Sequence, residues 1–135
     1  MEQLIIDFEV LAQVAKETRT YKAGQIIFTE GDPGHEFYVV RDGAVSIVVA
    51  GQPVETVRAA QVFGEMAMVD AKPRSATAIA MTDCVVVPLS EKQFVELVRA
   101  APYFALAVMR VLAERLRKAN VAREDLLPTV PQGSG

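Results

Sequence analysis

Two hydrophobic periods divide the chain. Over residues 2–17, Leu4, Phe8, Leu11 and Ala15 recur every three or four positions, the spacing of a short amphipathic helix. From Tyr21 the period shortens. The stretch QIIFTEGDPGHEFYVVRDGAVSIVVAGQPVETVR is a string of β-branched and aromatic runs, cut by turn signals at GDPG (31–34), DG (42–43) and AGQP (50–53). Further strands are expected at about 75–81 and 84–89. Short strands with turns about every 8–12 residues predict a sandwich or roll. Helical spacing then returns. SEKQFVEL opens with a capping box, Ser90 at N-cap and Gln93 at N3. A second helix begins near Pro102, with Phe104, Ala107, Val108, Val111, Leu112, Leu116 and Ala119 on its apolar side. The closing LLPTVPQGSG, with two prolines and two glycines, reads as a flexible tail. The expected layout is an N-terminal helix (1–17), a mainly β domain with a helical exit (18–120) and a tail (121–135).

Composition narrows what such a domain does. One domain is the natural reading of 135 residues, and 51% hydrophobic with 23% charged residues fits a globular chain. Net charge is 14 − 17 = −3, so nucleic-acid binding by this chain alone is not expected, since that affinity comes mostly from neutralising phosphates with Lys and Arg. Cys84 is the single cysteine and reads as a buried small hydrophobe, which excludes an intrachain disulfide framework or an iron–sulfur cluster. No apolar run approaches the length of a membrane span and no signal peptide is visible, so a cytoplasmic location is expected.

The chemistry gathers in FGEMAMVDAKPRSATAIA, residues 63–80. Glu65 stands inside an apolar run and Arg74 follows nine residues later among small side chains. Gly64 permits a positive φ and leaves room for a close visitor. Successive N–H groups in such a turn form an anion nest. Arg74 offers a forked pair of donors to a phosphate, while Ser75, Ala76, Thr77 and Ala78 keep the wall low and supply hydroxyls. Ionised Glu65 only accepts, which suits a sugar hydroxyl. A ribose phosphate fits these groups. Pairing of Glu65 with Arg74 in an ordinary bulge fits them as well.

The same stretch resembles the phosphate-binding cassette of the cyclic-nucleotide-binding domain family, F-G-E-[LM]-A-hydrophobic, a variable turn, then P-R-[STA]-A-[ST]. YKAGQIIFTEGDPGHEFYVVRDGAVSIV resembles the family's opening strands, and DCVVVPLSEKQFVELV its last strand and first C-terminal helix, so the likeness covers about residues 18–120. It implies a mainly β fold: an eight-stranded antiparallel β-roll, or jelly roll, with an N-terminal helix and two C-terminal helices. It implies that Glu65 binds the ribose 2′-hydroxyl and Arg74 the cyclic phosphate. Gly64, the backbone near Ala67, and Ser75 with Ala76 complete the phosphate shell. Val49, Val62 and Met66 flank the nucleotide. Asn120, on the last helix, meets the base, and Gly31 and Gly43 are turn glycines. The ligand is then cAMP, with cGMP as the alternative, and the C-terminal helix moves over it. No cofactor, metal or catalytic residue is implied. Bacterial regulators of the family carry a helix-turn-helix after this region, so both a stand-alone sensor and the sensor module of a larger regulator or channel remain open, and the downstream effector is unknown.

Other classes fare worse on the residues. A metal-dependent jelly-roll enzyme needs several histidines, and the chain has one, His35, in a turn; a Ser or Cys nucleophile would have only that base. One Cys and one His also support haem poorly. A degenerate protein-interaction domain stays as the alternative. Phe104, Val108, Val111, Leu112 and Leu116 form a stripe wider than a lone surface helix needs, which suggests either a homodimer through this helix or its packing on the roll.

Overall fold

The computed structural model describes residues 7–68, 70 and 72–126, with side chains followed to Lys118 except that of Met68. The chain runs α1 (Phe8–Val14), β1 (Arg19–Tyr21), β2 (Ile26–Phe28), β3 (Glu36–Asp42), β4 (Ala44–Val49), β5 (Gln52–Arg58), β6 (Val62–Phe63), a 3-10 turn (Glu65–Met68), β7 (Thr77–Ala80), β8 (Cys84–Ser90), α2 (Glu91–Ala100) and α3 (Tyr103–Leu126). The eight strands form two four-stranded sheets, ordered β1-β8-β3-β6 and β2-β7-β4-β5, with every pairing antiparallel. This is the expected mainly β roll flanked by three helices.

Strand alternation sorts the apolar residues into two cores. On β3, Phe37 and Val39 face the helices while Tyr38 and Val40 face the inside of the roll. Val87 and Leu89 of β8 join the helical side, and Cys84 and Val86 the roll. The helical-side core is closed by Leu11 and Val14 of α1, Leu97 of α2, and Phe104, Val108 and Val111 of α3. Each such side chain contributes roughly 1.5–3 kcal/mol by leaving water.

Caps fix where the helices begin. Ser90 Oγ accepts from the Gln93 N–H at 3.2 Å, and Gln93 Oε1 accepts from the Ser90 N–H at 2.8 Å. Gln93 Nε2 also donates to the Val14 carbonyl at 3.2 Å, tying α2 to the end of α1. Pro102 directly precedes α3, where its missing N–H is not needed. Two boundaries differ from the sequence reading. The described part of the N-terminal helix is Phe8–Val14, ending before the expected 17, with Asp7 at its N-cap accepting from the Glu9 N–H at 2.8 Å; residues 1–6, Leu4 among them, lie outside the described residues. α3 continues to Leu126, past the expected start of a tail at 121; positions 127–135 lie outside the described residues.

Candidate functional site

The site begins where β6 ends. Gly64 adopts φ +74°, turning the chain out of the sheet and into the 3-10 turn, whose Ala67 N–H donates back to the Gly64 carbonyl at 3.2 Å. Glu65 is thereby carried inwards. It is 4% exposed, the one buried polar or charged residue among those described. An isolated buried carboxylate is costly, so its partner matters. That partner comes from α3: Glu65 Oε1 forms an ion pair with Arg115 Nη1. Arg115 also grips Glu55 of β5, Nε to Oε1 at 3.0 Å and Nη2 to Oε2 at 2.8 Å, and donates from Nη2 to the Val62 carbonyl at 3.0 Å. Beyond that ion pair Glu65 Oε1 makes no hydrogen bond among the described residues, and an ionised carboxylate has lone pairs to offer a hydroxyl.

Arg74 is built differently. Its backbone is pinned to the loop after β2: its N–H donates to the Asp32 carbonyl and its own carbonyl accepts from the Gly31 N–H, both at 2.8 Å. Its guanidinium lies over the Phe28 ring, Cζ 4.1 Å from the centroid, with the Tyr38 ring at 5.7 Å. Nη1 donates to the Gly64 carbonyl at 3.3 Å, while Nε is buried with no partner among the described residues. A buried donor left unmade costs about 1–3 kcal/mol, and an anion would relieve it. Under this cation the Phe28, Tyr38 and Phe63 rings stack, Tyr38 on Phe63 at 5.0 Å and Phe28 on Tyr38 at 5.8 Å. Burial raises the Tyr38 phenol above its ordinary pKa, Glu36 adds to the rise and Arg74 opposes it, so the ring stays neutral.

The expected site residues separate accordingly. Gly64, Glu65, Met66 and Ala67 lie at the turn and Arg74 reaches it through the Gly64 carbonyl, while Ser75 and Ala76 follow Arg74 in the chain; Met66 and Ser75 are exposed and Ala76 half-buried. Glu65 does not pair with Arg74; Arg115 takes it instead. The Ala67 N–H is engaged within the 3-10 turn, and Thr77 Oγ1 accepts from the Glu30 N–H at 2.9 Å, so that oxygen already serves the loop. Val62 requires correction. β6 alternation turns its side chain, 2% exposed, into the helical-side core, and its contribution here is the carbonyl that holds Arg115. Val49 stands half-exposed at the end of β4, beside a turn whose Ala50 N–H donates to Glu30 Oε1 at 3.3 Å. Asn120 falls within α3, but its side chain lies outside the described residues. The wide apolar stripe of α3 also resolves: Phe104, Val108 and Val111 pack on the roll, with Leu112 against them, while Leu116 is exposed.

Arg115, Glu55, Phe28 and Gly34 escaped the sequence reading. Arg115 carried a signal. Phe104, Val108, Val111 and Arg115 continue one stripe at spacings of four, three and four, so a cation interrupts the buried face as Glu65 interrupts an apolar run. Among the described residues no cluster of three or more His, Cys, Asp or Glu side chains is arranged to hold a metal ion, and no helix is long and apolar enough to cross a membrane.

Comparison with known proteins agrees with this geometry. The family model described as "Cyclic nucleotide-binding domain" matches residues 18–101. The cyclic AMP receptor protein of Thermus thermophilus is 33% identical over 110 residues, covering 78% of this chain and 51% of that protein, so the chain spans about half its length. The crystal structure of Thermus thermophilus catabolite activator protein superposes with a TM-score of 0.74 at 30% identity, covering 87% of this chain and 59% of that one. An EAL enzyme, Bd1971, has been solved in cAMP-bound and cGMP-bound forms. These superpose with TM-scores of 0.59 and 0.61, each at 32% identity, covering 80% and 81% of this chain and 30% of each of those chains.

Proposed function

The chain belongs to the cyclic nucleotide-binding domain family, and we propose that it is a sensor that takes cAMP in preference to cGMP and reports it through α3. The observation that carries this reading is the buried Nε of Arg74, unpartnered among the described residues, on a guanidinium held by the Gly64 carbonyl next to the buried carboxylate of Glu65. The cyclic phosphate completes Arg74, and the ribose 2′-hydroxyl donates to Glu65 Oε2. Each contact is a hydrogen bond to a charged group, worth about 1.5–3 kcal/mol. The nucleotide is bound, not transformed, and the protein acts in the cytoplasm.

Glu65 is also the link to output. Its Oε1 belongs to Arg115 on α3 while its Oε2 belongs to the ligand, so one carboxylate is shared by nucleotide and helix. A carboxylate held at both oxygens is better ordered, and α3 supplies one of the two donors. The ligand therefore favours the docked position of α3 by as much as its affinities for docked and undocked states differ.

The base is met by few groups, Asn120 on α3 among them, so discrimination is on the order of 1–2 kcal/mol. Displacement of a fluorescent cyclic nucleotide by cAMP and by cGMP tests the reading. Saturable displacement with cAMP tighter is expected, and Asn120→Ala narrows the gap. A tenfold or greater preference for cGMP overturns the choice of ligand, and no displacement by either overturns the sensor.

Self-association, if α3 mediates it, uses its outer face. Leu106 and Ala113, like Met109 and Leu116, stand seven residues apart, and all four are outside the helical-side core, with Met109 and Leu116 more than half exposed. That is the seam spacing of a two-helix coil with a second copy. Sedimentation of wild type against Met109→Glu checks it: a dimer that the variant dissociates is expected, and a monomeric wild type with and without cAMP ends the idea.

A further inference from the structure

We propose that Phe28 and Gly34 form a slot that positions the Arg74 guanidinium for the anion, and that both residues act on nucleotide affinity through Arg74 alone. The inference rests on the cyclic-nucleotide reading above. One wall is the Phe28 face, 4.1 Å from Arg74 Cζ, itself braced by Tyr38 at 5.8 Å and Phe63 at 6.0 Å. The other wall is the bare backbone of Gly34. A Cβ placed there would collide with Arg74 Nε and Cζ and come within 2.7 Å of Nη2. Gly34 does not have a positive φ, so its lack of a side chain is not demanded by the backbone. A Cβ there would instead have to push the guanidinium out of its place. The third constraint is the Gly64 carbonyl on Nη1 at 3.3 Å.

A free arginine carries substantial rotamer entropy, and loses much of it when its head is fixed. A slot that fixes the head before the ligand arrives removes that cost from binding. It also explains how a buried Nε tolerates having no hydrogen bond among the described residues: the stacked ring face compensates in part. Phe28 and Gly34 are thus positioning residues and touch no ligand themselves.

The test is a pair of double-mutant cycles read by cAMP calorimetry: Phe28→Leu and Gly34→Ala, each in wild-type and Arg74→Ala backgrounds. Either single substitution is expected to weaken cAMP binding about three- to thirtyfold. Neither is expected to weaken it further once Arg74 is gone. Phe28→Tyr, which keeps a ring, restores affinity. The Arg74 Nε–H resonance, measured without ligand, shifts upfield in the wild type from the Phe28 ring current and loses that shift in Phe28→Leu. Phe28→Leu removes packing against Phe63, and Gly34→Ala provides the arm that leaves this core intact. Equal losses in both backgrounds, or an unchanged affinity in Gly34→Ala, overturn the slot while the functional reading stands. No cAMP binding by the wild type overturns the functional reading and the slot with it.

Discussion

The two ends of the site each present an arginine, and they are held in opposite ways. Arg115 is heavily engaged: two carboxylates and a carbonyl take four of its five N–H donors, and its side chain is mostly buried. Among the described residues Arg74 makes one side-chain hydrogen bond, rests on an aromatic face and has no partner for Nε. A cation with most of its donors engaged holds structure together. One that is pre-placed but under-bonded holds a place for a ligand. The same residue type therefore takes two roles, and hydrogen-bond satisfaction tells them apart better than sequence position does.

The largest effect that separates them is on stability. Arg115→Met leaves Glu65 buried and unpaired, so unfolding free energy without ligand is expected to fall by about 3–5 kcal/mol in urea titration. A fall below about 1 kcal/mol would remove Arg115 from its structural role. Arg74→Ala acts on the other axis. It is expected to weaken cAMP binding by roughly 2–4 kcal/mol, about 30- to 1000-fold, with stability changed by less than about 1 kcal/mol. A change in affinity below about threefold would sink the anion assignment. The residue between the arginines gives a smaller effect. Wild type is expected to prefer cAMP over its 2′-deoxy analogue by about 1.5–3 kcal/mol, and Glu65→Gln to shrink that gap. A wild type that treats the two alike puts Glu65 outside the ribose site.

The smallest effect is on pH dependence beneath Arg74. Tyr38 has a raised pKa in the fold because burial disfavours phenolate. Its contribution is therefore fully present below the ordinary value near 10 and is lost as pH climbs from there through the raised folded value, since the unfolded chain releases its proton first. Melting temperature is expected to decline over that alkaline range, and Tyr38→Phe to flatten the decline. An identical slope in the variant would mean that other groups govern it.

Local pattern carried the layout and the cassette. Period two on β3 and β8, the Ser90–Gln93 capping box and the apolar stripe at 104, 108 and 111 all report faces and caps, which depend on neighbours in sequence. Glu65 and Arg74 were legible because charge amid small or apolar residues is locally anomalous. What pairs with them was not. Glu55 and Arg115 stand sixty residues apart, Phe28 and Arg74 forty-six, and only the antiparallel winding of the roll brings them together. Val62 shows the converse limit. Its nearness to the cassette suggested a ligand wall, but strand alternation two residues before Gly64 turns it towards the helices.

Glu65 as the carboxylate shared by ligand and helix is the centre of this account, and amide hydrogen exchange across α3 tests it most directly. With saturating cAMP, exchange over residues 104–126 is expected to slow in the wild type, because the nucleotide orders the carboxylate that holds Arg115. In Glu65→Gln, at nucleotide concentrations that still saturate the site, that slowing should disappear. Wild-type α3 exchange that ignores bound cAMP, or slowing that survives Glu65→Gln, would contradict it.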